Sequence, residues 1–341
     1  VSDGVTLDVS DLVDSIGQAN TATGKSTLAA GATVFSINTG ITISGGNEAN
    51  FSSLLTHEGN GLLSVTDQNL TVGSGTDESI SVANAILLAA TTSGTVTSAI
   101  DTTESVDSLK TLFDAGETHA LTITITNNAA DASLSTAAEF NAINSATSLA
   151  VNATNVTALA SSSISNIKTL LTAGNDTNQF TATSFGSLAT VTVADTTLDV
   201  SDLNDSIAQA NTATGATTTS FTITSVDTIN AGTAAEFTTL LGYESGSQIS
   251  ITDQNLTVDS GTMSLANAVA LSATTSGTVT GEITSGTTIS AMLDSTTGLK
   301  DTGTVAAQAL TITVASGDAE ATAGNLTSLY GKTTVAVDAS A

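Results

Sequence analysis

Cysteine, proline, arginine and tryptophan are all absent from this chain of 341 residues. Without cysteine the chain can form neither a disulfide framework nor a thiolate metal site, although this does not argue for the cytosol. Proline removes a backbone donor and is excluded from sheet interiors, so its absence is typical of a chain rich in sheet ladders. Aromatic residues make up only 3% of the chain, so the core must be built mainly from Ala, Val, Leu and Ile.

Positive charge is also scarce. Five lysines stand against 32 acidic residues, which gives a formal net charge of −27. Nucleic-acid binding is excluded because so few cations cannot neutralise a run of phosphates, and an anionic membrane surface would repel the chain. The longest apolar runs, such as Ala85–Ala90, are too short to cross a bilayer, so no membrane insertion is predicted.

The strongest positive signal is an internal duplication. Residues 6–24 read TLDVSDLVDSIGQANTATG, and residues 197–215 read TLDVSDLNDSIAQANTATG. The segments VTDQNLTV (65–72) and AATTSGTVT (89–97) return as ITDQNLTV (251–258) and SATTSGTVT (272–280). We therefore divide the chain into a first half of the repeat array, 1–191, and a second half, 192–341.

A shorter period lies beneath this duplication, with about eleven units of roughly 31 residues. Each unit contains a β-branched or alternating run, a helix start, two turns of amphipathic helix and a return rich in Gly or Thr. One strand and one short helix cannot bury their own apolar face, whereas stacked units can. The pattern predicts one continuous repeat solenoid, β-solenoid-like with α/β content, with a strand and a short helix in each unit.

The sequence indicates where two of the helices begin. Thr136-Ala-Ala-Glu139 and Thr233-Ala-Ala-Glu236 are capping boxes, in which a hydroxyl and a carboxylate satisfy the first backbone N–H groups. Each box is followed by a phenylalanine, Phe140 or Phe237, which we predict to be buried where helix meets sheet.

The sequences at both ends of the chain match repeats from its interior. Residues 1–12 match residues 192–203, and residues 335–341 match residues 149–155. Open strand edges pair readily with another chain. The sequence therefore predicts self-association end to end, or a window on a longer protein.

Two aspartate triplets are candidate metal ligands. They have the spacing i, i+3, i+6, which places the carboxylates near one side of a helical turn, and Ca²⁺ takes six to eight oxygen ligands. The alternative is that these aspartates cap helices and complement the helix dipole. The candidate calcium residues are Asp8, Asp11, Asp14, Asp199, Asp202 and Asp205.

The two histidines, His57 and His119, lie in return segments that do not correspond to each other. Catalysis or metal binding would require partners for each imidazole. We predict that both are solvated loop residues.

The segments SVANAILLAATTSGTVT (81–97) and SLANAVALSATTSGTVT (264–280), with GKTTVAVDASA (331–341), resemble repeats of giant secreted or cell-surface proteins of bacteria, cyanobacteria in particular. The resemblance covers essentially the whole chain. It implies export, an extracellular or cell-surface location and a structural, adhesive or surface-coat role, and it carries over no catalytic residue.

The leading hypothesis is thus a non-enzymatic structural protein, a segment or subunit of a surface fibre, filament or surface layer. The alternative is a calcium-dependent adhesin module that contacts glycans or another cell. An enzyme acting on polysaccharides is disfavoured, because such enzymes usually carry aromatic platforms and a charged cluster, whereas this chain has two Tyr, no Trp and no Arg.

Overall fold

The computed structural model describes residues 6–25, 27, 31–73, 78–112, 119–126, 135–223, 228–300, 308–314 and 317–339. The chain divides into two compact units. Unit 1 comprises Val1–Thr157 and Ala173–Ser187, and unit 2 comprises Ala158–Thr172 and Leu188–Ala341. In both units most strands are followed by a helix, and every strand pair among the described residues is parallel.

Unit 1 contains one six-stranded sheet in the order β1-β2-β3-β5-β4, with β6 also paired to β5. Its strands are β1 (Leu7–Asp8), β2 (Thr42–Gly46), β3 (Asn69–Val72), β4 (Ser79–Ile80), β5 (Val96–Ile100) and β6 (Ala120–Thr122). Its helices are α1 (Val9–Thr23), α2 (Glu48–Gly59), α3 (Val82–Thr91), α4 (Val106–Leu109) and α5 (Ala137–Ser145).

Unit 2 contains a three-stranded sheet in the order β10-β8-β7 and a six-stranded sheet in the order β15-β14-β13-β12-β11-β9. Helix α6 (Ile164–Gly174) begins in this unit. The strands are β7 (Ala158–Ser162), β8 (Thr190–Val193), β9 (Thr197–Asp199), β10 (Ser220–Ile223), β11 (Thr228–Thr233), β12 (Asn255–Ser260), β13 (Val279–Glu282), β14 (Gln308–Thr313) and β15 (Val337–Asp338). The other helices are α7 (Val200–Thr214), α8 (Ala234–Ser245), α9 (Leu265–Thr274), α10 (Ile289–Leu293) and α11 (Ala323–Tyr330).

The prediction of one continuous repeat solenoid is wrong. The chain is an α/β fold with three separate parallel sheets of six, three and six strands, and this alternation resembles Rossmann-like domains rather than a solenoid. A regular solenoid requires units of equal length, but successive paired strands of the large sheet in unit 2 begin at unequal intervals, at Thr197, Thr228, Asn255 and Val279. The division at residue 191 describes the duplication in the sequence and remains a prediction.

The local predictions of helix starts are confirmed. Thr136 Oγ1 accepts from the backbone N–H of Glu139 at 3.3 Å, while Glu139 Oε2 accepts from the N–H of Thr136 at 2.8 Å. Thr233 and Glu236 form the same reciprocal pair. The following phenylalanines, Phe140 and Phe237, are both fully buried, as their position after each box predicts.

A buried threonine fastens the turn after α3 and again after α9. Thr92 Oγ1 donates to the carbonyl oxygen of Gln68 and accepts from the N–H of Gly94 at 2.9 Å. Its counterpart Thr275 makes the same pair of contacts with Gln254 and Gly277. These hydroxyls tie each turn to the preceding turn, so the repeated TTSG sequence has a structural cause.

The two ends of the chain are described in part. Of the end segments 1–12 and 335–341, residues 1–5, 340 and 341 lie outside the described residues. Among the residues searched, none of the helices combines the length and hydropathy that a membrane crossing requires.

Candidate functional site

The first and fourth predicted calcium ligands, Asp8 and Asp199, are helix N-caps. Asp8 Oδ1 accepts from the backbone N–H groups of Ser10 at 2.8 Å and Asp11 at 3.3 Å, at the start of α1. Hydrogen bonds from the Ser10 side chain and from these two N–H groups lower the pKa of Asp8. A carboxylate used in this way stabilises the helix through its cap and its dipole.

Asp199 caps α7 with the same geometry. Its Oδ1 accepts from the N–H groups of Ser201 at 2.8 Å and Asp202 at 3.4 Å. Burial raises the pKa of Asp199, but the hydrogen bonds from Ser201 and Asp202 outweigh this effect, and the pKa lies below its ordinary value. In both copies the capping interpretation of the first aspartate in the triplet therefore holds.

Asp202 and Asp205 share a lysine. Lys168 Nζ on α6 lies 2.7 Å from Asp202 Oδ1 and 2.8 Å from Asp205 Oδ2 on α7. These two carboxylates raise the pKa of Lys168 through hydrogen bonds and charge. The Lys168 ammonium therefore occupies the position between the Asp202 and Asp205 carboxylates that a metal ion bound by both would need.

Asp11 and Asp14, the counterparts of Asp202 and Asp205, are exposed on α1. No ion pair joins either of them to another residue within the described ranges. The first triplet therefore differs from the second in lacking a lysine neighbour among the residues that the structure places.

Calcium remains a prediction, since the structure does not assemble either triplet as a ligand set. Within the described part of the chain, no three His, Asp or Glu side chains are grouped closely enough to hold a metal ion. Ca²⁺ needs six to eight oxygens. Asp199 is already engaged by backbone N–H groups and the other two members of its triplet by Lys168.

A second lysine bridge lies in unit 1, and the sequence analysis missed it. Lys110, the C-cap of α4, contacts Glu139 Oε1 of α5 at 2.6 Å and Asp107 Oδ1 of its own helix at 2.5 Å. Hydrogen bonds to Asp107 and Glu139 raise the pKa of Lys110. The sequence did hold a signal for this bridge. In a chain with five lysines and 32 acidic residues, each lysine has many candidate acidic partners.

Carboxylates also connect one helix start to the next. Glu48, in the first turn of α2, accepts from the N–H of Ser81 at 2.9 Å and from the amide of Asn84 at 2.6 Å. In unit 2, Asp195 Oδ2 accepts from the N–H of Ile164 at 2.7 Å. The Ile164 N–H is a first-turn donor, which has no partner inside its own helix, whereas Ser81 is the N-cap of α3 and Asn84 contributes its side-chain amide.

The prediction for His119 is wrong, because its side chain is only 3% exposed. Its Nδ1 accepts from the backbone N–H of Val96 at 3.0 Å, so the imidazole completes the backbone hydrogen bonding at the start of β5. The return segment before β6 supplies a buried polar group that the local pattern did not reveal.

His57 is not a loop residue either, since it lies half-buried in the last turn of α2. It borders a cleft of about 490 Å³ that Asn20, Lys25 and Leu62 also line. Its Nδ1 is buried with no hydrogen-bond partner within the described residues, and burial lowers the pKa of the imidazole. The corresponding residue in the second copy is Tyr243, so this group is not repeated.

Among its described strands, the large sheet of unit 2 shows no ligand crevice of the kind found in doubly wound folds. In those folds the ligand lies where the strand order reverses. The described strands of the large sheet in unit 2 follow chain order from β9 to β15 without reversal. Comparison of the chain with known protein families, curated proteins and solved structures found no match.

Proposed function

We propose that this chain is a non-enzymatic structural segment of an extracellular or cell-surface assembly, such as a fibre, filament or surface layer, and that it associates with itself. The proposal draws on the resemblance of its repeats to those of giant bacterial surface proteins. It also draws on the part that polar side chains play in the two copies of the duplication.

One observation carries the proposal: the polar contacts that recur in both copies are contacts that build the fold. Asp8 and Asp199 cap α1 and α7 in the same way. Asn69 Oδ1 accepts from the N–H of Thr95 at 2.9 Å, and Asn255 Oδ1 accepts from that of Thr278 at 2.8 Å. The repeated sequence therefore preserves caps and turns.

The imidazole of His57, the side chain best suited to acid–base chemistry in the cleft, is not preserved in both copies. His57 in the first copy is replaced by Tyr243 in the second. A general base must lie within hydrogen-bond reach of the substrate proton that it abstracts. Among the described residues, His57 Nδ1 has no hydrogen-bond partner that would orient the imidazole for this, and the second copy has no equivalent group.

The high negative charge is compatible with a structural role. Charge of one sign keeps surfaces from aggregating laterally, while salt screens the repulsion over about 8–10 Å. Lys110 and Lys168 are each placed between two acidic side chains, where they reduce repulsion between Asp107 and Glu139 and between Asp202 and Asp205.

Immunogold labelling of intact source cells, followed by electron microscopy of the released material, tests the proposal. We expect label on the outer surface, on regular fibres or layers. Label confined to the cell interior, or a purified chain that stays monomeric at every accessible concentration, would contradict it. Controls are cells lacking the chain and permeabilised cells labelled in parallel.

A further inference from the structure

The two copies of the duplicated helix differ in sequence only beside His57. Residues 6–24 and 197–215 are identical except at two positions, which are Val13 and Gly17 in the first copy. Gly17 lines the cleft of about 490 Å³ that His57 borders, and Val13 lies in an adjoining depression shared with both residues. The two copies of this segment have therefore diverged at the cleft and are the same elsewhere.

This cleft lies on the side of α1 that faces α2. In the second copy Asn204 corresponds to Val13, and its side-chain amide donates to the carbonyl oxygen of Glu236 in α8 at 2.9 Å. That side of α7 therefore faces the helix that follows it in the chain. In the first copy the cleft likewise has walls in α1 and in α2, which supply Gly17 and His57. The cleft is thus formed between two consecutive helices of unit 1 and not on the outer face of α1.

Polar side chains bridge the corresponding place in the second copy. Gln248 is only 4% exposed, and its Nε2 donates to Asn211 Oδ1 at 2.6 Å. In the first copy Leu62 stands at the position of Gln248 and cannot form this hydrogen bond. Asn20, the counterpart of Asn211, bonds instead to the backbone of Thr33. The bridge between the helix and the segment after the next helix is therefore missing beside the cleft.

A phenol stands in the second copy where the first copy has an imidazole. Tyr243 is the counterpart of His57 and is half-buried. Burial and the nearby charge of Asp205 raise the pKa of the Tyr243 phenol, so this hydroxyl lies close to α7. The residue of α7 that corresponds to Gly17 is Ala208. The first copy therefore has the smaller side chain at both positions, and a cleft lies between them.

The imidazole of His57 offers a polar group to a molecule in this cleft. Neither of its ring nitrogens forms a hydrogen bond with the described residues. Nδ1 is buried, which leaves Nε2 as the nitrogen that a bound molecule can reach. Burial lowers the pKa of the imidazole, so the ring is predominantly neutral at pH 7. A hydroxyl suits a neutral imidazole, because it can donate or accept whichever tautomer the ring adopts.

We propose that the cleft between α1 and α2 is a binding site for a small phenolic molecule. The ring of the ligand lies against Gly17 and Leu62, and its hydroxyl pairs with His57 Nε2, as the phenol of Tyr243 stands beside α7 in the second copy. The volume of about 490 Å³ falls within the range of about 300–1,000 Å³ that is typical of small-molecule sites. The inference concerns ligand binding and does not depend on the proposed function.

Titration with 4-methylphenol, and with toluene as the matched ligand that lacks the hydroxyl, tests the chemistry. The chain has only two histidines, so NMR of the protein with isotope-labelled histidine follows both imidazoles, and a His57→Gln spectrum assigns them. We expect a saturable shift of the His57 signals, with 4-methylphenol bound roughly fivefold more tightly than toluene because toluene forms no hydrogen bond. Equal affinities would overturn the choice of a phenol. The absence of a saturable shift at millimolar ligand would overturn the site.

Filling the cleft tests its location. A Cβ atom added at Gly17 meets no atom within 4 Å, so Gly17→Leu can extend into the cleft without a clash. We expect this variant to lose 4-methylphenol binding without a lower unfolding midpoint. Gly59→Leu is the matched control, since Gly59 also lies in a helix beside open space and is not among the described residues that line the cleft. Unchanged binding in Gly17→Leu, or an equal loss in both variants, would contradict the location.

A change of the imidazole alone tests the role of His57. His57→Phe keeps an aromatic ring but removes both nitrogens, so it should still bind toluene and should lose the roughly fivefold preference for 4-methylphenol. The triple variant Gly17→Ala, His57→Tyr, Leu62→Gln gives the cleft the residues of the second copy and should bind neither ligand. An undiminished preference for 4-methylphenol in His57→Phe would show that another residue recognises the hydroxyl and would overturn the role given to His57.

Discussion

Lys168 Nζ lies 2.7 Å from Asp202 Oδ1, so a lysine of α6 is joined to an aspartate that the sequence had suggested for calcium. The lysine also reaches Asp205, and all three side chains are partly exposed. In a chain with only five lysines, this places one positive charge between α7 and the part of α6 that belongs to unit 2.

Replacing Lys168 with Met should destabilise unit 2 by about 0.5–1 kcal/mol at low salt, since partly exposed ion pairs contribute about that much. High salt should reduce the loss, because it screens both the lost attraction and the remaining repulsion between Asp202 and Asp205. Urea unfolding followed by circular dichroism at low and high salt measures the effect. Lys25→Met is the control, since Lys25 is exposed and forms no ion pair among the described residues. An equal loss in both variants would exclude the ion pair as the cause.

The capping boxes provide a second prediction. Thr136→Ala and Thr233→Ala should each lower the free energy of unfolding by about 1 kcal/mol, because the N–H of the third helical residue loses its acceptor. Thr→Ser at the same positions keeps the hydroxyl and should recover most of the loss. The midpoints of urea unfolding of the alanine and serine variants measure the loss and its recovery. Alanine and serine variants of equal stability would show that the hydroxyl is not what stabilises these helix starts.

The buried threonines after α3 and α9 should be more sensitive than their neighbours. Thr275→Val keeps the side-chain shape but leaves the Gln254 carbonyl and the Gly277 N–H without the hydroxyl. We expect a loss of about 1–3 kcal/mol, the cost of unsatisfied buried polar groups. Thr274→Val is the matched control, since Thr274 Oγ1 only bonds back to Ala270 within α9. Thermal unfolding of the pair measures the difference, and equal midpoints would refute the role given to Thr275.

The sequence was a good guide to features set by neighbouring residues. The capping boxes at Thr136 and Thr233 depend on residues three apart, and the burial of Phe140 and Phe237 follows from helical spacing after them. The caps at Asp8 and Asp199 are of the same local kind, and capping was the alternative already weighed against calcium.

Features that depend on distant pairing were not predictable in the same way. The duplication could not reveal that the strands would be divided among three sheets, because strand pairing joins residues that are far apart in the chain. The burial of His119 depends on β5, and the Lys110 bridge depends on α5, 29 residues away. A local sequence motif does not identify the distant residues that contact it in the folded chain.

Glu48 should make stability depend on pH. Burial raises the pKa of this carboxyl, but hydrogen bonds from the Ser81 N–H, the Asn84 amide and the Ser81 hydroxyl outweigh it, and the pKa lies below its ordinary value. A carboxyl whose pKa is lower in the folded state stabilises the fold above the unfolded pKa of about 4.3. That contribution is lost as the pH falls through the lower, folded pKa.

Glu48→Gln should therefore cost about 1 kcal/mol at neutral pH, because hydrogen bonds to a charged group are the stronger ones. The difference from wild type should stay constant above about pH 5, narrow below about pH 4 and close once Glu48 is protonated in the folded state. Overall acidification is a poor test by itself, because it also relieves the repulsion of a chain with net charge −27. The measurement is thus the difference in unfolding free energy between wild type and variant across pH, with exposed Glu320→Gln as the control. A difference that is independent of pH would mean that Glu48 acts through its shape and not through its charge.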